Sequence, residues 1–510
     1  MNNKKINMTV LRASALLLIL SMAATMLGGC GIIVINGGDD VTTAPNAETT
    51  LPETTAPAPE TLSPEDTGSE TEPPAENTEE PEETVEVKPV TFPSRIEEAE
   101  NRLDALIDTI DVSGFNMILV TASDTVDVVF SDENDPLYAA RSNRNSMLYD
   151  KYGVNVRTIY GEAVDTDRIY ADLSAATSAG EGVDYYVDLL MLPANRAGGF
   201  LAKGLLKDMR TLPFYDTRSG NNAGNVGNMR YFDLGEGTDA PELIYSVFFN
   251  RNMVGAEMTD ALYSASLEGS LGFETLLIAA QTAEGREADI GCADNDNSIF
   301  GRKSADLLGI DFITKDRQGV PKLSVSDENI LALDAFAARA SVLSYYTPAE
   351  GAASSIEAFI AGKTPFYLGT LGDITELYDK PLEWGVLTLP SDKGLGAIAD
   401  NRPVICLPEI SSRLEQTSLW LSGFNAASGE WIRDSFLKTS IENHLRDNNS
   451  CLVLHKILMQ KTELSFSLIF SEYYSDLAEA TYLCAGSGDY AAVYKSKLSA
   501  INKKLAKLPS

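Results

Sequence analysis

Hydrophobic and polar positions follow two different rhythms along this chain, and the change from one to the other marks its elements. "PSRIEEAENRLDALIDTI" places Ile96, Ala99, Leu103, Leu106, Ile107 and Ile110 on one helical face. Ser94 and Glu97 form a capping-box pair at its start. "FNMILVT" (115–121) is an unbroken apolar run of strand length, as expected of a strand covered on both faces. After a loop, "PLYAARSNRNSMLYDKYG" reads as a helix, "VNVRTIYG" as a second strand, and "DTDRIYADLSAATSAG" as a helix ending on Gly180. "VDLLMLP" is a third strand and "GGFLAKGLLKDM" the helix that follows it. Strands alternating with helices predict a parallel sheet. Ligands of such sheets sit beyond the carboxyl ends of the strands. The loops holding Ser123-Asp124 and Asn195-Arg196 are therefore the first candidate binding residues, with Gly198-Gly199 expected to turn the backbone into the next helix.

The N-terminal patterning is of another kind. Lys4, Lys5 and Arg12 precede an apolar run from Ala13 to Met26, short of the roughly 20 residues that span a bilayer. Small residues follow it, as before a signal cleavage site. Leu27-Gly28-Gly29-Cys30 resembles the lipobox of bacterial lipoproteins. That resemblance implies removal of residues 1–29 and a diacylglycerol thioether on Cys30, detectable with palmitate. The rival is an uncleaved anchor extended by "GIIVIN" to Ile35; the spacing of Leu to Cys favours the lipoprotein. Both readings leave the basic end inside and the bulk of the chain outside, so the expected location is the extracellular face of the cell membrane. Residues 30–93 are a Thr/Pro/Glu-rich tether with too few large apolar side chains to offset their ordering entropy, and are expected to be disordered. From Asp39 to Phe92 the reach lies between roughly 40 Å as a flexible coil and about 170 Å as polyproline II.

Charge and chemistry mostly exclude. The 510-residue chain carries −34. Setting aside the three basic charges of the signal and the net −14 of residues 31–92 leaves −23 on the remainder. A surface this acidic repels nucleic acid and anionic lipid. The two histidines, His444 and His455, lie in helical stretches as ordinary packed or surface residues. No HExxH, G-x-S-x-G or Walker loop occurs. "DNDNS" at Asp294 opens like a calcium loop, but Ile299 and Ala305 stand where Gly and Glu are required. "SGNNAGNVGN" lacks the strand-turn-helix context of a phosphate cradle. Cys292, Cys406, Cys451 and Cys484 are too widely spaced to read as a zinc site or a pairing scheme. No catalytic residue, metal or cofactor is expected. About 400 residues beyond the tether exceed a single core, so two lobes are expected.

Several fragments, in order, resemble the extracellular solute-binding proteins that feed ABC importers. "DPLYAARSNRNSMLYDKYGVNV" and "HLRDNNSCLVLHKIL" are similar to segments of a Firmicutes group. "DLLMLPANRAGGFLAKGLLKDM" resembles the third strand and helix of the family 1, maltodextrin-binding-like members. "YSVFFNRNMV" resembles their hinge motif, "AFIAGKTPFYLGTLGD" their F-x-x-G-K helix and strand, and "WGVLTLP" their G-V-x-x-L-P strand. The resemblance implies an α/β fold of the periplasmic-binding-protein type II kind. An N-terminal helix (94–111) would precede lobe 1 (112–246 plus 408–450) and lobe 2 (250–402 plus 451–510), with crossover strands near Tyr245 and Ile405. It also implies a monomer that takes a small solute, a sugar by preference, in the interlobe cleft and hands it to a membrane permease. Sugars stack on rings, yet Leu192 and Gly372 stand where sugar-binding members carry aromatics. The carry-over is therefore Asn195, Arg196 and Asp373, with Tyr245 and Trp384 as replacement rings; Trp384 fits a core position equally well. Two other classes stay open: a secreted hydrolase using paired carboxylates, and a surface protein that binds a wall polymer or partner without transport.

Overall fold

A computed structural model describes residues 96–508 apart from short internal stretches, the longest being 295–302, 392–401 and 476–489. The signal segment, Cys30, the tether, His444 and Cys484 lie outside the described residues.

Two five-stranded sheets organise the rest. In the first, β1 (Asn116–Thr121) lies between β2 (Asn155–Ile159) and β3 (Leu189–Pro193), all parallel. A small hairpin, β4 (Asn225–Val226) and β5 (Met229–Arg230), precedes β6 (Phe232–Asp233), which closes the sheet's other edge. The second sheet contains β7 (Tyr245–Asn250) and β8 (Cys292–Asp294). Hairpin β9 (Ile313–Lys315) and β10 (Pro321–Leu323) stands apart, and β11 (Tyr345–Tyr346), β12 (Phe366–Thr370) and β13 (Trp384–Leu387) complete the order β11-β8-β12-β7-β13. The chain then returns to the first sheet through β14 (Pro403–Cys406), antiparallel to β3. Every residue of β3 and of β7 is buried, which is why β3 is a continuous apolar run rather than an alternating one.

Helix α1 (Ile96–Asp104) buries Ala99 and Leu103. Helix α2 (Tyr138–Tyr152) ends on Gly153, whose φ of 62° and N–H bond to the Tyr149 carbonyl form a left-handed cap. Helix α3 (Thr166–Ala179) follows β2, and α4 (Ala194–Ala202) begins directly after Pro193. Asn195 and Arg196 consequently occupy the first helical turn rather than a loop. Gly198 and Gly199 are inside that helix, not at a turn. A Cβ on Gly198 would stand 2.5 Å from the Ile469 carbonyl oxygen, and one on Gly199 would stand 2.6 Å from Glu472 Oε1. The glycines let a distant segment approach the helix backbone, at a helix-propensity cost of about 0.5–1 kcal/mol each.

That segment belongs to the C-terminal tail. Helices α5 (Ala256–Glu268) and α6 (Asp327–Ser341) belong to the second half. Helix α7 (Leu414–Ala426) packs on α1 and α2, and α8 (Trp431–Asn443) reaches both α2 and α9 (Asn448–Met459). Helix α9 itself packs on β13 and α5, where Lys456 Nζ donates to the carbonyls of Ser266 (3.1 Å) and Leu267 (2.7 Å). The short helix Phe466–Ile469 lies between α4 and β9. Ile313 N–H donates to Ser467 Oγ (3.2 Å), and Phe312 stacks on Tyr474 at 4.8 Å. Finally α10 (Tyr490–Leu505) packs on α6 and β10. The tail, expected with lobe 2 alone, thus also holds a helix of lobe 1. The two small hairpins meet as well, Gly227 N–H donating to the Gly319 carbonyl at 2.9 Å.

Candidate functional site

The carboxyl ends of β1 and β3 bring four of the expected residues to one edge of the first sheet. Ser123 and Asp124 follow β1 and are exposed. Thr166 Oγ1, at the start of α3, donates to Asp124 Oδ1 at 2.6 Å. One residue on, Asp167 pairs with Arg196 from the first turn of α4. Two acids near it in the chain have other partners: Asp188 holds Arg413, and Asp208 holds Arg210. Arg196 remains 37% exposed and Asp167 77%, so this pair is solvated and contributes little to stability.

The tail packs against the same helix. Ser471 Oγ donates to the Asn195 carbonyl (3.4 Å), and Glu472 lies against Gly199. Burial raises the Glu472 carboxyl above its ordinary range, although Arg196 and Lys504 pull it down. Tyr473 is half-buried beside it, its ring 6.1 Å from that of Phe470. Tyr170 stands edge-on to Phe200 at 5.2 Å. Glu472, Tyr473 and Asp167 carry no motif, and only their return to α4 in space gives them a place here. A guanidinium, three carboxylates and a phenol ring therefore converge at this edge.

The second sheet presents Tyr245 and Asp373. Tyr245 opens β7 and pairs in register with Thr370 at the end of β12. Its ring is 6% exposed, with Lys303 Nζ 5.5 Å from the centroid. Asp373 turns back on its own chain: Oδ2 accepts from Tyr367 Oη and the Thr370 N–H, each at 2.8 Å. Burial raises its pKa despite these bonds. Its work is to close the turn after β12. Trp384 is separated from this edge altogether. It pairs with Asn250 at the far end of β7, five residues and about 17 Å from Tyr245. It is 4% exposed and packs edge-on to Phe248 at 6.0 Å. Trp384 thus packs in the core of the second sheet, at the end opposite Tyr245.

Between the sheets runs a buried belt of charge that the sequence did not announce. Arg141, 1% exposed, bridges Asp135 (2.7 Å) and Glu242. Arg433 pairs with Asp239, both 12% exposed, and Arg402 donates to Thr238 Oγ1 (3.0 Å). Burial raises the Glu242 carboxyl, with Arg141 opposing it. Glu242 Oε2 is buried without a hydrogen-bond partner. For Asp239 burial acts the same way, but Arg433, Arg402 and Arg141 outweigh it and hold the carboxyl below its ordinary value. Among the described residues no group of three His, Cys, Asp or Glu side chains could hold a metal ion. Cys292, Cys406 and Cys451 are free and buried, and burial pushes the Cys451 thiol up to about 11. Such a thiol is a poor nucleophile at neutral pH.

Two five-stranded α/β sheets joined by crossings of the chain have the fold of the type II periplasmic binding proteins. No family model matches the chain, and no curated protein sequence matches it. Among solved structures, the cyclic α-maltosyl-1,6-maltose binding protein of Arthrobacter globiformis is similar at a TM-score of 0.51 and 13% identity, over 76% of this chain and 98% of that one. The galacto-N-biose/lacto-N-biose I-binding protein of Bifidobacterium longum (TM-score 0.48, 13% identity, 78% and 99% covered) and the maltose-maltodextrin binding protein of Alicyclobacillus acidocaldarius (0.45, 12%, 77% and 100%) are also similar. At such identity it is the fold that the Arthrobacter protein supports.

Proposed function

We propose that this chain is the extracellular receptor of an ABC importer, capturing a carbohydrate between its lobes and delivering it to a membrane permease. The observation that carries the reading is the edge of the first sheet where Arg196 pairs with Asp167 beside Asp124, and where the tail brings Glu472 and the half-buried Tyr473 against the helix that bears Arg196. A planar guanidinium and carboxylates bond hydroxyls in pairs, and aromatic faces cover the apolar side of a sugar. The structural neighbour of the same fold binds a cyclic maltosyl-maltose, a ligand of this chemistry. The role asked of these residues is binding. The chain is further read as a monomeric lipoprotein held to the membrane through Cys30.

Binding raises the melting temperature of the state that binds. A thermal-shift screen of the full chain across maltodextrins, other oligosaccharides, peptides and amino acids should single out a saccharide. Arg196→Ala should then weaken that ligand by roughly 1.5–3 kcal/mol while leaving the unliganded melting temperature within about 1 °C, because the pair it breaks is solvated. A hit confined to peptides or amino acids, or an affinity that survives both Arg196→Ala and Tyr473→Ala, would overturn the reading.

A further inference from the structure

Helix α2 carries a second set of binding chemistry, on residues other than those at the edge bearing Arg196. Its inner face buries Arg141, Arg144, Leu148 and Tyr152. Its outer face, at the spacing i, i+4, i+7, i+11, reads Tyr138, Ser142, Asn145, Tyr149. The two tyrosines are about 16 Å apart along the axis. Phe130 joins them from the loop after β1, and the three rings line a cavity of about 410 Å³ floored by Leu148 and Trp420. Four aromatic side chains among the described residues are conspicuously exposed: Phe130 41%, Tyr138 40%, Tyr149 54% and Tyr378 43%. Three of the four share this one cavity, so the exposure is concentrated rather than scattered.

The cavity is also held in shape. Asp127 Oδ1 accepts from the N–H groups of Val129 (2.8 Å) and Phe130 (3.0 Å), and Asn145 Nδ2 donates to the Val129 carbonyl (2.7 Å). Arg144 Nη2 donates to the Val128 carbonyl (2.5 Å). The loop that bears Phe130 is thus fastened to the helix that bears both tyrosines, which preorganises the rings. Ser142, Asp150 and Asn155 line the same cavity, and their side chains are exposed. No lysine or arginine does, and the chain as a whole carries −34, which disfavours phosphate-bearing or acidic polymers. Spaced rings with hydroxyl, amide and a single carboxylate between them suit a neutral polyol chain.

We propose that this cavity is a second carbohydrate site, on the outside of lobe 1 and independent of the cleft, which holds a neutral polysaccharide. It would keep the receptor on the polymer from which its solute is released. The test is affinity electrophoresis of the full chain in gels containing amylopectin, hydroxyethyl cellulose, galactomannan or arabinoxylan. At least one should retard the wild type. Tyr149→Ala or Phe130→Ala should each weaken retardation about three- to tenfold, the worth of one stacking ring, and Tyr138→Ala with Tyr149→Ala should abolish it. Tyr378→Ala, which removes an exposed ring elsewhere, and Arg196→Ala, at the cleft, should change nothing. Circular dichroism of each variant confirms folding. Retardation by none of the four polymers, retardation lost with Arg196→Ala, or retardation indifferent to all three rings overturns the proposal. So does preferential binding of a proline-rich peptide at the same rings.

Discussion

Replacing Arg433 by Met isolates the energetics of the buried belt. In the native chain Arg433 Nη2 donates to Asp239 Oδ1 at 2.9 Å and Nη1 to the carbonyls of Leu458 (2.6 Å) and Gln460 (2.8 Å). Both members of the pair are 12% exposed. Removing one partner of a buried pair leaves an uncompensated charge and costs about 3–5 kcal/mol, whereas replacing both by apolar groups is often neutral. Roughly 400 ordered residues unfold with an entropy of about 0.85 kcal/mol/K, so the loss corresponds to about 4–6 °C in melting temperature. Differential scanning calorimetry at pH 7 should therefore find Arg433→Met lower by that amount. Adding Asp239→Leu should recover about 1–3 kcal/mol of it, because each of the two carbonyl bonds still missing costs about 1 kcal/mol. The pH dependence gives an independent check. The folded pKa of Asp239 is depressed, so its contribution is present in full above the unfolded value near 4 and is lost as pH falls through the folded value. Wild type should lose stability on acidification through that window, and Asp239→Leu with Arg433→Met should lose less. A single variant within about 1 °C of wild type, or a double variant no better than the single, would refute the reasoning.

Three further outcomes follow from particular contacts. Gly198→Ala puts a methyl group against the Ile469 carbonyl; it should cost about 1–3 kcal/mol as an overpacked contact and speed proteolysis within residues 464–474, whereas unchanged cleavage would mean α4 and the tail are not in register contact. Lys315 is pushed down to about 8, by burial first and then by the Arg230 charge. A lowered folded pKa makes the charged form a penalty below pH 8 that fades as pH rises toward the unfolded value near 10.4. Lys315→Met should thus raise the melting temperature at pH 7 and lose that advantage by pH 10, and a lower melting temperature at pH 7 would contradict this. Labelled palmitate should enter the wild type, and Cys30→Ala should abolish labelling and leave a precursor; label surviving the substitution would count against the lipobox.

The legible parts of this fold are those that local periodicity decides. "FNMILVT" and "VDLLMLP" are strands because both faces are covered, and α2 stops at Gly153 because only glycine takes that φ of 62° without strain. The misreadings have a common cause in contacts made across the fold. Gly198-Gly199 looks like a turn in the sequence, and becomes a place of close approach only when Ile469 and Glu472 arrive. Trp384 and Tyr245 both sit on strands of the second sheet, but the antiparallel register that sets them at opposite ends is a property of the pairing. Arg141 and Glu242 are 101 positions apart, and in so acidic a chain each reads as one more solvated charge. The tail carries the largest consequence. Its segment 464–474 rests on α4 with one side and on β9 with the other, so it fastens the edge that bears Arg196 to the half of the chain containing the second sheet. Were the two halves to open as on a hinge, the motion would have to part α4 from Ile469 and Phe470, or Ser467 from Ile313 and Tyr474 from Phe312. The residues that line the edge and the residues that restrain its opening are therefore contributed by the same short segment, and a ligand bound by Glu472 or Tyr473 would act directly on that restraint.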